Sequence, residues 1–236
     1  MVLQDKTALV TGGSRGIGYT VAKRFLQEGA NVVITARSTD QLENAAGRLQ
    51  SLGAGKVMAL PGDVSKKRHV TRWIDETLEA FETIDILVNN AGIMRSAPVD
   101  ELSMEDFQKV LEVNLQGVFL MCNRVVPHMK QQNNGYIFNL ASYAGVTGLL
   151  GSGAYGASKA GIIRFGETLQ REVADYGIKV TSISPAYVYT DMAGDSGVTQ
   201  DEMIQPDDIV ETMLYIMRLS KSALVRNVIM ERYGQL

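Results

Sequence analysis

Thr7-Ala8-Leu9-Val10-Thr11-Gly12-Gly13-Ser14-Arg15-Gly16-Ile17-Gly18 is the stretch on which the fold turns. A short apolar run breaks at paired glycines, and beyond Gly18 the residues Val21, Ala22, Phe25 and Leu26 recur at helical spacing before Gly29. The pattern is strand, glycine turn, helix. Glycines in such a turn let the backbone bend tightly and let a diphosphate approach the helix N-terminus, where free N–H groups and the helix dipole favour negative charge. Gly12, Ser14, Arg15, Gly16, Ile17 and Gly18 are therefore candidate nucleotide ligands. Their spacing, Gly-x3-Gly-x-Gly, differs from the commoner GxGxxG, and no lysine followed by Ser or Thr closes the loop, which excludes a P-loop.

The same residues hold a second pattern. Gly12-Gly13-Ser14-Arg15-Gly16 satisfies G-x-S-x-G, the nucleophile elbow of serine hydrolases. That chemistry requires a histidine late in the chain, and the last histidine is His128. The hydrolase reading is the weaker one.

Outward from the loop, apolar runs alternate with helical stripes. Strands are expected at Asn31–Thr35, Val57–Leu60, Ile86–Val88, Tyr136–Leu140, Ile178–Ile183 and Leu224–Met230. Helical spacing falls at Leu42 to Leu49, Val70 to Phe81, Phe107 to Cys122 with a bend or end at Pro127, Ser152 to Tyr176, and from Pro206. Most strands are continuous apolar runs, which indicates burial on both faces. This predicts one α/β domain over 1–236: a doubly wound, mostly or wholly parallel sheet of seven strands with helices on both sides. A cofactor half is expected over about 1–140 and a catalytic half over about 141–236.

Composition narrows the chemistry. The 236 residues carry 23 Lys plus Arg against 26 Asp plus Glu, a net charge of −3, so neither nucleic acid nor a membrane surface is the expected partner. One cysteine, Cys122, and two histidines, His69 and His128, leave no disulfide and no expected protein-held metal. No apolar run approaches the ~20 residues of a membrane span, and the first residues have no targeting character, so a cytoplasmic location is expected. Catalysis then falls to hydroxyls, amines, carboxylates or a borrowed cofactor.

Ligands of an open parallel sheet collect beyond the carboxyl ends of its strands. The second strand leads into Arg37, where an acid would suit the ribose 2′-hydroxyl of NAD and a cation suits a 2′-phosphate. With Arg15 as a second cation, NADPH is favoured over NADH. Asp63 and Val64 follow the third strand, and Asn90, Ala91 and Gly92 follow the fourth; both groups suit the adenosine side. Tyr155 and Lys159 lie one helical turn apart, and Ser142 follows the fifth strand. A free tyrosine has a pKa near ~10, and a neighbouring ammonium is expected to lower it.

In the order Thr11-Gly12-x3-Gly16-Ile17-Gly18, Asn90-Ala91-Gly92, Asn114, Ser142, Tyr155-x3-Lys159 and Pro185, the sequence resembles the short-chain dehydrogenase/reductase family over essentially its whole length. The resemblance implies that Tyr155 is the acid/base, that Ser142 orients the substrate carbonyl, and that Lys159 binds a ribose and tunes the tyrosine. It also implies that Asn114 holds a proton-relay water and that Val188 and Thr190 meet the nicotinamide carboxamide. The implied activity is hydride transfer between NAD(P)H and a carbonyl or alcohol, with 3-oxoacyl-carrier-protein reduction or a non-catalytic NADP sensor as alternatives. Two features depart from the family: Ala186 follows Pro185 where glycine is usual, and the C-terminus lacks the paired glycines of fatty-acid-synthesis members. A homodimer or homotetramer is expected. Met94, Tyr143, Leu149, Leu150, Tyr187 and Met192 are the candidate substrate wall and suit an apolar group.

Overall fold

The structure is a computed structural model that describes residues 3–52, 55–193 and 197–234. Seven parallel strands form one sheet in the order β3-β2-β1-β4-β5-β6-β7. They are β1 (Thr7–Thr11), β2 (Asn31–Ala36), β3 (Val57–Pro61), β4 (Ile86–Asn89), β5 (Gly135–Leu140), β6 (Ile178–Pro185) and β7 (Asn227–Met230). Successive side chains on a strand point to opposite faces, and the core divides accordingly. Ala8, Val10, Val32, Ile34, Ile86 and Val88 pack on one face with helices α1 (Gly16–Gln27), α2 (Thr39–Gln50) and α7 (Pro206–Arg218). Leu9, Val33, Leu87 and Ile137 pack on the other face with α3 (Lys67–Phe81), α5 (Gly117–Gln132) and α6 (Gly153–Val173). A strand apolar at every position is what two helical layers require.

Two expectations are corrected. The strand expected from Leu224 begins at Asn227, because side chains of β6 take the preceding carbonyls: Lys179 donates to those of Ser220 and Ala223, and Thr181 to that of Val225. Pro127 does not end its helix, which continues to Gln132. A separate irregularity lies earlier, where a π-helical stretch at Glu112–Gln116 joins α4 (Met104–Leu111) to α5. Single π-turns are frequent at functional sites, and this one carries the buried Asn114.

The chain leaves β1 for β2 on one side, while β4 lies on the other. The crevice of an open sheet forms at such a switch point, outside the strand ends. Here the loops after β1 and β4 are Gly12–Arg15 and Asn90–Gly92.

Candidate active site

A cleft of about 730 Å³ opens along the carboxyl edge of the sheet, bordered by Arg37 and Asp63 and by Ser142, Tyr155 and Lys159. Its glycine floor is built by close approach. Gly12 and Gly16 have φ of +69° and +54°, a left-handed backbone that side chains disfavour. A Cβ on Gly18 would sit 2.3 Å from the Gly12 carbonyl and 2.5 Å from Asn90 Nδ2. Asn90 is the staple: its Nδ2 donates to the carbonyls of Thr11 at 2.9 Å and Gly12 at 3.1 Å. The Thr11 hydroxyl accepts from the backbone N–H groups of Asn90 and Ala91, both at 3.0 Å. Thr11 was not among the expected site residues; its signals in the sequence are its place at the end of the strand and at the head of the glycine motif.

At the β2–β3 side, Arg37 is exposed and Asp63 is partly buried. Burial alone would raise the Asp63 pKa. Hydrogen bonds from the Ser65 backbone and hydroxyl, with the charges of Lys109 and Arg37, outweigh it and hold the carboxyl below the usual range. An ionised acceptor and a cation thus share this end of the cleft, with Ser38 and Gln41 beside them.

At the β5–β6 side, the Ser142 hydroxyl accepts from the Ala144 N–H at 3.2 Å and is hydrogen-bonded to Tyr155. Burial raises the Tyr155 pKa, and the Ser142 bond only moderates this. The lowering expected from a nearby lysine is absent for a geometric reason. Lys159 Nζ donates to the Leu140 carbonyl at 2.6 Å and sits 5.6 Å from the centre of the tyrosine ring. Burial also brings the lysine's own pKa down to about 8.

Asn114 is fully buried behind this wall rather than on it. Its Oδ1 accepts from the Ile93 N–H at 2.8 Å, and its Nδ2 donates to the Ile93 carbonyl and to Ser158 Oγ, both at 3.0 Å. Ser158 in turn donates to the Tyr155 carbonyl at 2.7 Å. Both amide hydrogens of Asn114 are thus taken up by acceptors within the protein.

Gly12, Ser14, Arg15, Gly16, Ile17, Val64, Asn90, Ala91, Gly92, Pro185, Val188 and Thr190 all line the cleft, while Gly18 lies beneath it. Ala186 lies outside the left-handed backbone region. Arg15, expected as a second cation for the 2′-phosphate, pairs with Asp191 at 3.0 Å. Ser14 has no histidine beside it in the cleft, and His69 Nδ1 is occupied by the Asp63 N–H at 2.9 Å. Met94, Tyr143, Leu149, Tyr187 and Met192 line the mouth. Leu150 does not: it is fully exposed outside the wall, in the turn that leads into α6. Residues 194–196, within the segment Ala193–Gln205, lie outside the described residues, as do the last two of the C-terminal tail. Among the described residues, no helix is long and apolar enough to cross a membrane, and no cluster of His, Cys, Asp and Glu could hold a metal ion.

Known proteins share this architecture. An uncharacterized oxidoreductase of Staphylococcus saprophyticus is 37% identical over 226 residues, covering 96% of this chain and 97% of its own. A 3-oxoacyl-[acyl-carrier-protein] reductase of Chlamydia trachomatis is 34% identical over 238 residues, covering 97% and 96%. The crystal structure of levodione reductase superposes with a TM-score of 0.91 at 26% identity, over 99% of this chain and 98% of that one. An alcohol dehydrogenase of the archaeon Thermococcus sibiricus, complexed with 5-hydroxy-NADP, superposes at 0.90 with 29% identity over 98% of each chain. A family model described as short chain dehydrogenase matches residues 6–201, and this chain is an oxidoreductase of that family.

Proposed function

We propose that the chain reduces a carbonyl group with NADPH, through Ser142, Tyr155 and Lys159. The observation that carries this reading is that the three side chains meet in the same cleft as the glycine cradle and Arg37. Their strands, β5 and β2, are three steps apart in the sheet, about 14 Å, a span suited to a dinucleotide. The cradle fits such a group because any Cβ on Gly18 would collide with the loop that must approach the diphosphate.

Bound there, the dihydronicotinamide supplies the hydride. The protein supplies orientation and the proton. The Ser142 hydroxyl donates to the substrate carbonyl oxygen and polarises it. Tyr155, kept protonated by burial, releases its proton to that oxygen as it becomes an alkoxide. Lys159 carries its charge below about pH 8 and would hold the cofactor ribose beside the tyrosine. Asn114 is a positioning residue, tying Ile93 at the cleft wall to α6 through Ser158. Pro185, Val188 and Thr190 border the nicotinamide end, while Asp63, Val64, Asn90, Ala91 and Gly92 border the adenosine side.

The reading has a pH signature. Lys159 has a depressed pKa and loses its charge as pH rises through about 8. The kcat/KM for reduction is therefore expected to be level below that value and to fall above it, while Tyr155 stays protonated. A profile that rises through pH 8 contradicts this role for Lys159.

Cofactor choice rests on Arg37. NADPH and NADH oxidation, compared over ketones, quinones, steroids and acyl thioesters, tests the whole reading, with faster turnover of NADPH expected. Arg37→Asp replaces a cation with a charge that repels the 2′-phosphate, and at least a ~10-fold loss of NADPH preference is expected. An unchanged preference contradicts the assignment. Reduction of a 3-oxoacyl thioester is the second reading, favoured by the 34% identity to the Chlamydia trachomatis reductase.

A further inference from the structure

Arg15 and Asp191 lie 176 positions apart, yet their side chains meet at 3.0 Å across the rim of the cleft. The segment bearing Asp191 arches over the glycine loop: the Thr190 methyl lies 3.3 Å from where a Cβ on Gly16 would stand. Its neck is closed by strand-like pairing, with the Tyr189 N–H on the Ile204 carbonyl at 2.9 Å and the Ile204 N–H on the Tyr187 carbonyl at 3.0 Å. Two arginines line the cleft. Arg37 makes no ion pair among the described residues, and its charge acts on Asp63. Arg15 is drawn instead to a carboxylate belonging to the protein itself.

We propose that Asp191 is a specificity-determining residue, which competes with the cofactor 2′-phosphate for Arg15 and thereby weakens discrimination between NADPH and NADH. This rests on the cofactor reading above. Both partners are largely exposed, at 68% and 73%, so the pair is screened and weak enough for a phosphate to break. A phosphate offers Arg15 two parallel hydrogen bonds and more charge than a carboxylate. The cost of parting Arg15 from Asp191 falls only on the dinucleotide that uses Arg15. The pair therefore acts on the ratio of affinities, where a purely structural contact would shift both affinities alike.

The test is a double-mutant cycle on the intact protein, titrating NADPH and NADH at constant ionic strength. Asp191→Asn keeps the side-chain shape and removes the charge. It is expected to raise the ratio Kd(NADH)/Kd(NADPH) by about threefold. In an Arg15→Leu background, the same substitution is expected to leave the ratio where Arg15→Leu puts it. An unchanged ratio in the single variant, or the same rise without Arg15, overturns the proposal. If Arg15→Leu alone leaves the ratio unchanged, Arg15 does not contact the phosphate, and this inference falls while the Arg37 arm of the cofactor reading stands on its own test.

Discussion

Tyr155→Phe is expected to lower kcat for carbonyl reduction by about 10²- to 10⁴-fold, the range contributed by a positioned general acid. The substitution removes one oxygen and leaves the ring that packs at the cleft wall, so NADPH binding should survive. The effect is large because neither Ser142 nor Lys159 beside it can replace the proton. Ser142 has a hydroxyl far too weakly acidic to serve, and Lys159 is turned toward the Leu140 carbonyl. Burial makes the difference directional: by raising the tyrosine pKa it keeps the proton in place for reduction. Stopped-flow or steady-state rates, set beside a fluorescence titration of NADPH, separate the two effects. Near-wild-type turnover in the variant would remove Tyr155 from the mechanism.

Gly18→Ala is expected to have the largest structural effect of any single methyl in the molecule's glycine loop. The added carbon would sit 2.3 Å from a backbone oxygen and 2.5 Å from the amide that staples Thr11 and Gly12. Neither neighbour is the loose end of a flexible side chain, so α1 and the loop must separate. Overpacking of this kind costs about 1–3 kcal/mol, or a few degrees in Tm for a chain of this size (~2–4 °C per kcal/mol). The displaced loop should also weaken dinucleotide binding by at least ~10-fold, because its N–H groups no longer converge. Gly47→Ala is the matched control. Gly47 lies in α2 with no atom within 4 Å of its would-be Cβ, so alanine there should stabilise by about 0.4–1 kcal/mol. Differential scanning calorimetry of the two variants reads shifts of opposite sign.

Much of the fold was legible because two periodicities carry it. Strand residues such as Ala8, Leu9 and Val10 are apolar in succession since each face meets helices, and Val21 to Leu26 recur at helical spacing since one face meets the sheet. The site was legible where a residue's place in the chain decides its place in the cleft, as for the loop after β1 and the helical turn from Tyr155 to Lys159. What escaped depends on contacts between distant segments. The π-turn at Glu112–Gln116 reads as ordinary helix, because its extra residue is set by the bonds of Asn114 to Ile93 and Ser158. Leu150 has the right character for a pocket wall, and only the path of its turn carries it outside. The direction of the Tyr155 pKa depends on burial and on where the lysine nitrogen points. No local signal announces the meeting of Arg15 with Asp191.

The most direct test of the central claim follows the hydrogen itself. NADPH deuterated at the reactive carbon is incubated with the protein and a panel of ketones, quinones and acyl thioesters, and the products are examined by mass spectrometry. The prediction is an alcohol carrying one deuterium at the former carbonyl carbon, formed by the wild-type protein and lost in Tyr155→Phe. Tight NADPH binding with no deuterium transferred to any member of the panel would contradict it.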